Sequence, residues 1–178
     1  MSGLLTRNRL IGLGIAALVA ALDQLSKWIV TGPLALREVG HIPLLPFFDL
    51  TYTENRGISL GMLQASNMEM RWLLVLMTLG IALVVLVWLL REKRLGDILG
   101  LALILGGAIG NIYDRYTLGY VVDFADFHIG GFRPFLIFNV ADAAITIGVV
   151  IILARSLLVS DKGDETGTVS SADAVSEK

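Results

Sequence analysis

Long apolar blocks separated by shorter polar stretches dominate the sequence. Four blocks are each long enough to cross the roughly 30 Å of hydrocarbon in a membrane. They cover residues 10–30, 72–90, 95–113 and 138–159. The pattern predicts an all-α membrane protein, a bundle of four transmembrane helices. Arg7 and Arg9 before the first block also resemble the start of a secretory signal peptide, but the three later blocks favour a membrane span.

Two longer polar loops, residues 31–71 and 115–137, connect these blocks. Residues 47–53 (FFDLTYT) and 120–127 (YVVDFADF) are rich in aromatic and β-branched side chains, which is typical of strands. Gly130 and Gly131 mark a turn, after which the chain returns toward the membrane. The sequence therefore predicts a small β-rich platform on the side of the membrane where these two loops lie.

The distribution of lysine and arginine predicts the orientation. Short cytoplasmic loops are enriched in these residues, and they are concentrated before the first block, in the 91–94 turn and around the end of the fourth block. Both termini are therefore expected in the cytoplasm and the β-rich platform outside. Residues 1–159 form the predicted membrane domain, and residues 160–178 a polar, acidic tail that we expect to be disordered.

Composition narrows the classes of function. The chain is 55% hydrophobic and 17% charged, whereas soluble domains are about 45–50% apolar and about 25% charged. The net charge of −2 gives no sign of nucleic-acid binding. The absence of cysteine excludes disulfides, thiolate metal sites and cysteine nucleophiles.

Polar residues inside the first span are candidates for function, because ionisable groups in a membrane are costly. Asp23 and Lys27 are four residues apart and share a helix face, so they predict either a structural ion pair or a pair that orients an active site. Ser26 beside Lys27 raises the alternative of a serine–lysine protease. Adjacent helical residues point about 100° apart, which argues against that dyad.

The end of the third span combines small and polar residues. Gly106 and Gly110 form a GxxxG pattern that favours close helix packing. Asn111, Asp114 and Arg115 follow at spacings that bring them to one face. Asp114 could equally cap the span at the membrane interface or take part in function.

Two aspartates approach the same membrane boundary from different segments. Asp142 lies one turn into the fourth span, three residues after Asn139, and Asp123 lies between apolar residues of the outward loop. Two neighbouring aspartates share one proton, so that one can activate water while the other polarises a carbonyl group. This is the chemistry of an aspartic protease, and it requires no cofactor or metal.

A metal hydrolase is the alternative for the same residues. Asp126 and His128 lie close to Asp123 in sequence, and Asp142 could complete an oxygen-rich site. Alternation along a strand, however, places Asp126 and His128 on the face opposite Asp123. We therefore interpret those two residues as part of a solvated strand face.

Five segments together resemble the lipoprotein signal peptidases, also called signal peptidase II. They occur in the order of that family, within residues 10 to 155 or so, and five in register on a four-span chain are highly specific. The segments are 23–27 (DQLSK), 55–57 (NRG), 110–115 (GNIYDR), 119–124 (GYVVDF) and 138–142 (FNVAD). Residues 58–61 (ISLG) depart from the small residues and aromatic that usually follow in the family.

The resemblance implies a membrane aspartic endopeptidase with Asp123 and Asp142 as its catalytic dyad. The residues that it implies for lining or supporting the site are Asn55, Gly57, Asn111, Arg115, Asn139, Asp23, Lys27 and Asp114. The implied substrate is a prolipoprotein that already carries diacylglycerol on its lipobox cysteine, cut just before that cysteine. The resemblance also implies a bacterial inner-membrane location, an active site on the periplasmic face, contact with membrane lipid and sensitivity to cyclic peptides such as globomycin.

Two classes outside proteolysis remain as alternatives. A small ion- or proton-coupled transporter could use Asp23, Lys27, Asp123 and Asp142 as its path. A non-catalytic scaffold could use its polar residues for helix association. The polar residues cluster toward one side rather than at several depths, which favours the protease.

Overall fold

Four long helices form the body of the protein, and the computed structural model describes residues 6–57 and 68–164. The helices are α1 (Arg7–Thr31), α3 (Met68–Arg91), α4 (Leu95–Thr117) and α5 (Val140–Asp164), with a short α2 (Leu36–Val39) after the first. Within the described residues, these four are long and apolar enough to cross a membrane. The predicted four-helix bundle is thus confirmed. Residues 58–61, which depart from the sequence usual in the family, lie outside the described residues.

The helix boundaries differ from the predicted ones for local reasons. Helix α5 begins at Val140 rather than at residue 138, because Asn139 caps it. It continues to Asp164, past residue 159 where the predicted membrane domain ends. Residues 165–178 of the predicted tail lie outside the described residues.

A three-stranded antiparallel sheet forms the predicted platform. Its strands are β1 (His41–Leu45), β2 (Phe48–Asn55) and β3 (Val121–Phe127), in the order β1-β2-β3. The sequence predicted β2 and β3 but missed β1, a short strand that contains Pro43. The pairing places Thr53 opposite Asp123 and Asn55 opposite Val121. The register therefore brings the end of β2 beside the start of β3.

Glycines allow α4 to approach both of its neighbours closely. A Cβ atom on Gly106 would lie 2.6 Å from the carbonyl oxygen of Ala16 in α1. On Gly107 it would overlap the carbonyl group of Ala141 in α5. The packing role predicted for the GxxxG pattern is confirmed, and α4 is the central helix that contacts α1, α3 and α5.

The bundle has two different ends. At the turn end, where residues 92–94 join α3 to α4, the core is apolar and includes Leu89, Ile98 and Leu101. At the aspartate end, where α1 and α4 finish and α5 begins, a second apolar cluster lies under the sheet. Along α1, Ala16 belongs to the first cluster and Val30 to the second, with the polar Asp23 and Lys27 between them. A buried polar layer therefore separates the two apolar cores.

Candidate active site

Lys27 lies at the centre of the buried polar layer. Its Nζ is 2.7 Å from Asp23 Oδ2 and 2.8 Å from Asp114 Oδ2, and it donates a hydrogen bond of 3.2 Å to Asn111 Oδ1. The residue is only 4% exposed, and the two carboxylates are also buried. The predicted Asp23–Lys27 ion pair is confirmed. Asp114 joins it from α4 rather than capping the span at the membrane interface.

The two carboxylates around Lys27 also bind the backbone next to the aspartate pair. Asp23 Oδ1 accepts a hydrogen bond of 3.0 Å from the backbone N–H of Ala141, which precedes Asp142. Asp114 Oδ2 accepts one of 3.2 Å from the N–H of Val122, which precedes Asp123. The ion triad thereby fixes the two segments that carry the aspartates relative to each other.

Asn139 connects the two aspartates directly. Its Oδ1 accepts the N–H of Asp142 at 2.9 Å, and Asp142 Oδ2 accepts the N–H of Asn139 at 3.3 Å. This reciprocal pair is a capping box at the start of α5, with aspartate in place of the usual glutamate. The Nδ2 group of Asn139 also donates to Asp123 Oδ1 at 2.6 Å. One amide side chain therefore sets the position of both carboxylates.

Two further amides complete the hydrogen bonding of the pair. Asn111 Nδ2 donates to Asp142 Oδ1 at 2.8 Å, and Asn55 Nδ2 donates to Asp123 Oδ2 at 3.1 Å. Burial raises the pKa of Asp123 to about 7, and the negative charge of Asp142 acts in the same direction. The hydrogen bonds from Asn55 and Asn139 oppose this rise. Asp123 therefore keeps its proton at pH values at which a carboxyl group is ordinarily ionised.

Arg115 and Gly57 lie beside the aspartates. Arg115 Nη2 donates to the carbonyl oxygen of Gly57 at 3.2 Å, and its charge interacts with Asp142, Asp123 and Asp114. Its Nε is buried and has no hydrogen-bond partner among the residues that the structure describes. Every residue that the sequence assigned to the site is thus brought into one connected cluster.

Sequence reasoning missed one member of this cluster, Gln24. Its Nε2 donates to Asp114 Oδ1 at 2.8 Å and to the carbonyl oxygen of Gly110 at 3.2 Å, and it also contacts Asp23. Gln24 thus ties α1 to α4. The available signal was an amide side chain next to Asp23 in an otherwise apolar span.

The interpretation of Asp126 and His128 as a solvated strand face is wrong. Asp126 is only 1% exposed, because Arg133 folds back and forms a two-pronged ion pair with it. His128 is half-buried, with Nε2 2.8 Å from Asp49 Oδ2. The Arg133 guanidinium holds the pKa of Asp126 below its usual value. These residues fasten the turn after β3 to the sheet and lie apart from the cluster around Lys27.

Ser26 does not combine with Lys27. The Ser26 hydroxyl donates to the carbonyl oxygen of Asp23 at 2.7 Å, within its own helix. The Lys27 ammonium is directed instead at Asp23, Asp114 and Asn111. This geometry favours the ion-pair interpretation over the serine–lysine alternative.

An apolar cleft of about 350 Å³ opens beside Asp142. It lies between the start of α5 and the chain that leads into it from the sheet. Its lining residues are Phe135, Leu136, Phe138, Asp142, Ala143, Thr146 and Ile147. The carboxylate thus borders a surface suited to apolar groups.

Four described helices that are long and apolar enough to cross a membrane, with a small sheet and a buried cluster of carboxylates and amides, are the architecture of a multi-pass membrane enzyme. The family model described as Signal peptidase (SPase) II matches residues 15–158. The chain therefore belongs to the signal peptidase II family, which is a family of proteases. The resemblance recognised in the sequence is confirmed.

Individual relatives agree with this membership. The chain is 56% identical over 154 residues to the lipoprotein signal peptidase of Rhizorhabdus wittichii, covering 86% of this chain and 90% of the relative. It is 54% identical over 162 residues to that of Sphingopyxis alaskensis, covering 91% and 94%. Neither comparison supports the transporter alternative.

Solved structures share the fold. One described as a bacterial membrane enzyme at 2.3 Å resolution has a TM-score of 0.74 and 28% identity, covering 85% of this chain and 90% of that one. A second, at 1.9 Å resolution, has a TM-score of 0.69 and 31% identity, covering 83% and 92%. The bundle and its sheet thus form an architecture already seen in membrane enzymes.

Proposed function

We propose that this protein is an aspartic endopeptidase that removes signal peptides from prolipoproteins, with Asp123 and Asp142 as its catalytic dyad. The single observation that carries the proposal is the bridge through Asn139, which binds both carboxylates and caps the helix that bears Asp142. All four carboxylate oxygens of the pair accept hydrogen bonds from amide or backbone N–H groups. Two carboxylates that direct one water molecule at a peptide bond need such fixed positions.

The chemistry assigns different tasks to the two aspartates. Asp123, with its raised pKa, donates its proton to the scissile carbonyl oxygen. Ionised Asp142 takes a proton from water as the water oxygen bonds to the carbonyl carbon. When the C–N bond breaks, the proton on Asp142 passes to the departing nitrogen, and Asp123 recovers a proton from the tetrahedral hydroxyl. Both aspartates return to their starting states, and no covalent intermediate forms.

The neighbouring residues support this reaction in three ways. Arg115 provides positive charge facing both aspartates, which stabilises the carboxylate that is ionised at each stage. Asn55, Asn111 and Asn139 orient the carboxylate oxygens. The ion triad of Asp23, Lys27 and Asp114 sets the distance between the segments that carry the dyad.

The substrate follows from the family and from the setting of the site. A prolipoprotein that carries diacylglycerol on its lipobox cysteine can keep its acyl chains in lipid while the peptide bond lies at the dyad. The apolar cleft beside Asp142 suits the hydrophobic residues or the lipid of such a substrate. Cleavage occurs just before the lipidated cysteine, and globomycin-type cyclic peptides compete for the same site.

The dyad faces the periplasm in the orientation we propose. Both termini and the turn end lie in the cytoplasm of a bacterial cell, across its inner membrane, because the densest positive charge lies at Arg91, Lys93 and Arg94. The cysteine-free sequence allows a direct test by single cysteine substitutions. In spheroplasts, a membrane-impermeant thiol reagent should label Gly130→Cys, and should label Ser171→Cys only after permeabilisation; the reverse pattern would contradict the orientation.

The function is tested by incubating the purified protein with a diacylated lipobox peptide. We expect cleavage at the bond before the modified cysteine, and inhibition by globomycin. The same peptide without the diacylglyceryl group is the matched control and should be cut far more slowly. Absence of cleavage by the folded wild-type protein, or cleavage by a folded Asp142→Asn variant, would overturn the proposal.

A further inference from the structure

Arg71, near the start of α3, binds the last turn of α4. Its Nε donates to the carbonyl oxygen of Arg115 at 3.0 Å, and its Nη2 donates to that of Tyr116. The guanidinium lies 5.7 Å from the ring centroid of Trp72. It also packs against Gly119, where a Cβ atom would lie 3.2 Å from Arg71 Nη1. One arginine from α3 thus contacts both the end of α4 and the turn that leads into β3.

The bonds from Arg71 matter because of where α4 ends. The last carbonyl groups of a helix have no N–H partner within that helix, so they need an outside donor. A cation at this end also interacts favourably with the helix dipole. Arg71 supplies both the donors and the charge, and it supplies them at Arg115, a residue whose side chain faces the aspartates.

Arg115 is consequently held at two points. Its guanidinium binds the carbonyl oxygen of Gly57, at the end of the β2 region, and its own carbonyl oxygen is bound by Arg71. If the bond to Arg71 were lost, the last turn of α4 could loosen and the guanidinium could shift relative to the dyad. A misplacement of about 1 Å in a catalytic site can reduce the rate by a factor on the order of 100.

We infer that Arg71 is a positioning residue, which acts on the reaction by fixing Arg115 beside the two aspartates. This inference rests on the proposed function, since it assigns Arg71 a part in the cleavage carried out at Asp123 and Asp142. Arg71 itself lies outside the set of residues that bond to the two carboxylates. Its contribution passes through the main chain of α4.

The chain offers a matched control at the turn end. Arg9 Nε donates to the carbonyl oxygen of Glu92 at 3.1 Å, and its Nη2 to that of Arg91 at 3.3 Å. Arg9 thus binds the end of α3 with the same groups that Arg71 uses at the end of α4. We expect Arg71→Gln and Arg9→Gln to lower the thermal unfolding temperature by similar amounts. Only Arg71→Gln should lower kcat, by about 10- to 100-fold.

The pH profile separates positioning from a general loss of stability. A positive charge near the dyad favours ionised carboxylates, so displacement of Arg115 should move the alkaline limb of kcat to higher pH. Besides Arg115, Lys27 is the cation that acts on Asp123, and its ion pairs with Asp23 and Asp114 are untouched in this variant. Arg9→Gln should leave the limb where it is. Arg71→Lys should restore part of the rate, because an ammonium group can still bind one carbonyl oxygen.

A double variant completes the test. In an Arg115→Lys background, Arg71→Gln should change kcat by no more than about twofold, because the residue it positions has already been altered. Independent multiplication of the two effects would overturn the inference, as would an unchanged kcat in Arg71→Gln. If Arg71→Gln does not fold, Arg71→Lys takes its place: a smaller loss of kcat is expected, and an unchanged kcat would again overturn the inference. Wild-type cleavage of the lipidated peptide is measured in parallel, so that failure of the proposed function is recognised separately.

Discussion

The polar groups at the two ends of the helix bundle differ in their burial and in their bonding partners. At the aspartate end, Asp23, Lys27 and Asp114 are buried and bond to one another through their side chains. At the turn end, Arg9 bonds to backbone carbonyl groups, and the Arg155–Asp97 pair remains partly open to solvent. Water can replace a lost partner at the turn end, whereas a lost partner at the aspartate end leaves a charge stranded in a dry environment.

The buried charges at the aspartate end serve function more than stability. An apolar layer in place of the buried charges would hold the helices together at least as well, since buried ion pairs gain little net stability. The buried network instead determines where the segments before Asp123 and Asp142 lie. We therefore expect substitutions at the aspartate end to affect cleavage, and comparable substitutions at the turn end to leave it intact.

The largest difference between the ends should appear when one carboxylate is neutralised. Asp123→Asn should abolish cleavage of the lipidated peptide, because the amide cannot supply the proton. Asp97→Asn, which breaks the ion pair with Arg155, should cleave at the wild-type rate. Peptide turnover measured on folded protein decides the matter. Retention of more than a tenth of the activity by Asp123→Asn would mean a loss of less than about 1.4 kcal/mol in transition-state stabilisation, and the dyad assignment would fail.

Removal of a cation should give the next largest difference between the two ends, in the free energy of unfolding. Lys27→Met leaves Asp23 and Asp114 buried without their shared partner and should cost about 3–5 kcal/mol in the free energy of unfolding. Arg155→Met removes the partner of Asp97 at a more open site and should have a much smaller effect. Denaturation in detergent micelles measures both. Equal losses would mean that the turn end is as dependent on its charges as the aspartate end.

Adding a methyl group tests the packing around the same network. In Gly110→Ala, the new methyl group would meet the Asp23 carboxylate, which must then shift from the N–H of Ala141. We expect a destabilisation of about 1–3 kcal/mol and reduced cleavage. Gly14→Ala is the control, because nothing lies within 4 Å of the added atom, and alanine in a helix should stabilise by about 0.5–1 kcal/mol. A neutral Gly110→Ala variant would contradict the close approach of α1 and α4.

The fourth contrast between the ends is in their pH dependence. Asp123 has a pKa of about 7 in the folded protein, against an ordinary value of 3.8. Between these values the folded state binds more protons than the unfolded state, so this group makes stability fall as pH rises toward 7. Cleavage should also fall by about tenfold per pH unit above 7, as the dyad loses its proton.

The turn end should behave differently over the same pH range. Hydrogen bonds from the backbone N–H groups of Arg94 and Lys93 lower the pKa of Glu92. Its contribution to stability is therefore lost as pH falls below its ordinary value of 4.5, and it is constant above that value. Unfolding measured between pH 5 and 8 should include the contribution of Asp123, and Asp123→Asn should weaken the dependence. An unchanged dependence in that variant would contradict the assignment.

The features that could be predicted from the sequence are those set by residues close together in the chain. Helix length, strand composition and the i,i+4 spacing of Asp23 and Lys27 all depend on near neighbours, and the structure bears them out. The role of Gln24 and the burial of Asp126 were not predictable in the same way. Gln24 depends on Asp114, which is 90 residues away in the chain, and the burial of Asp126 depends on Arg133 reaching back after the turn that follows β3.

The bond between Asp23 and Ala141 joins positions 118 residues apart in the chain. During synthesis the first helix is made long before α5, so this bond cannot form until the start of α5 has left the ribosome. Under the proposed function, a chain that has not yet reached α5 also lacks Asp142 and therefore cannot cleave a substrate. The order of synthesis would then delay proteolysis until α5 has been made and has packed against α1.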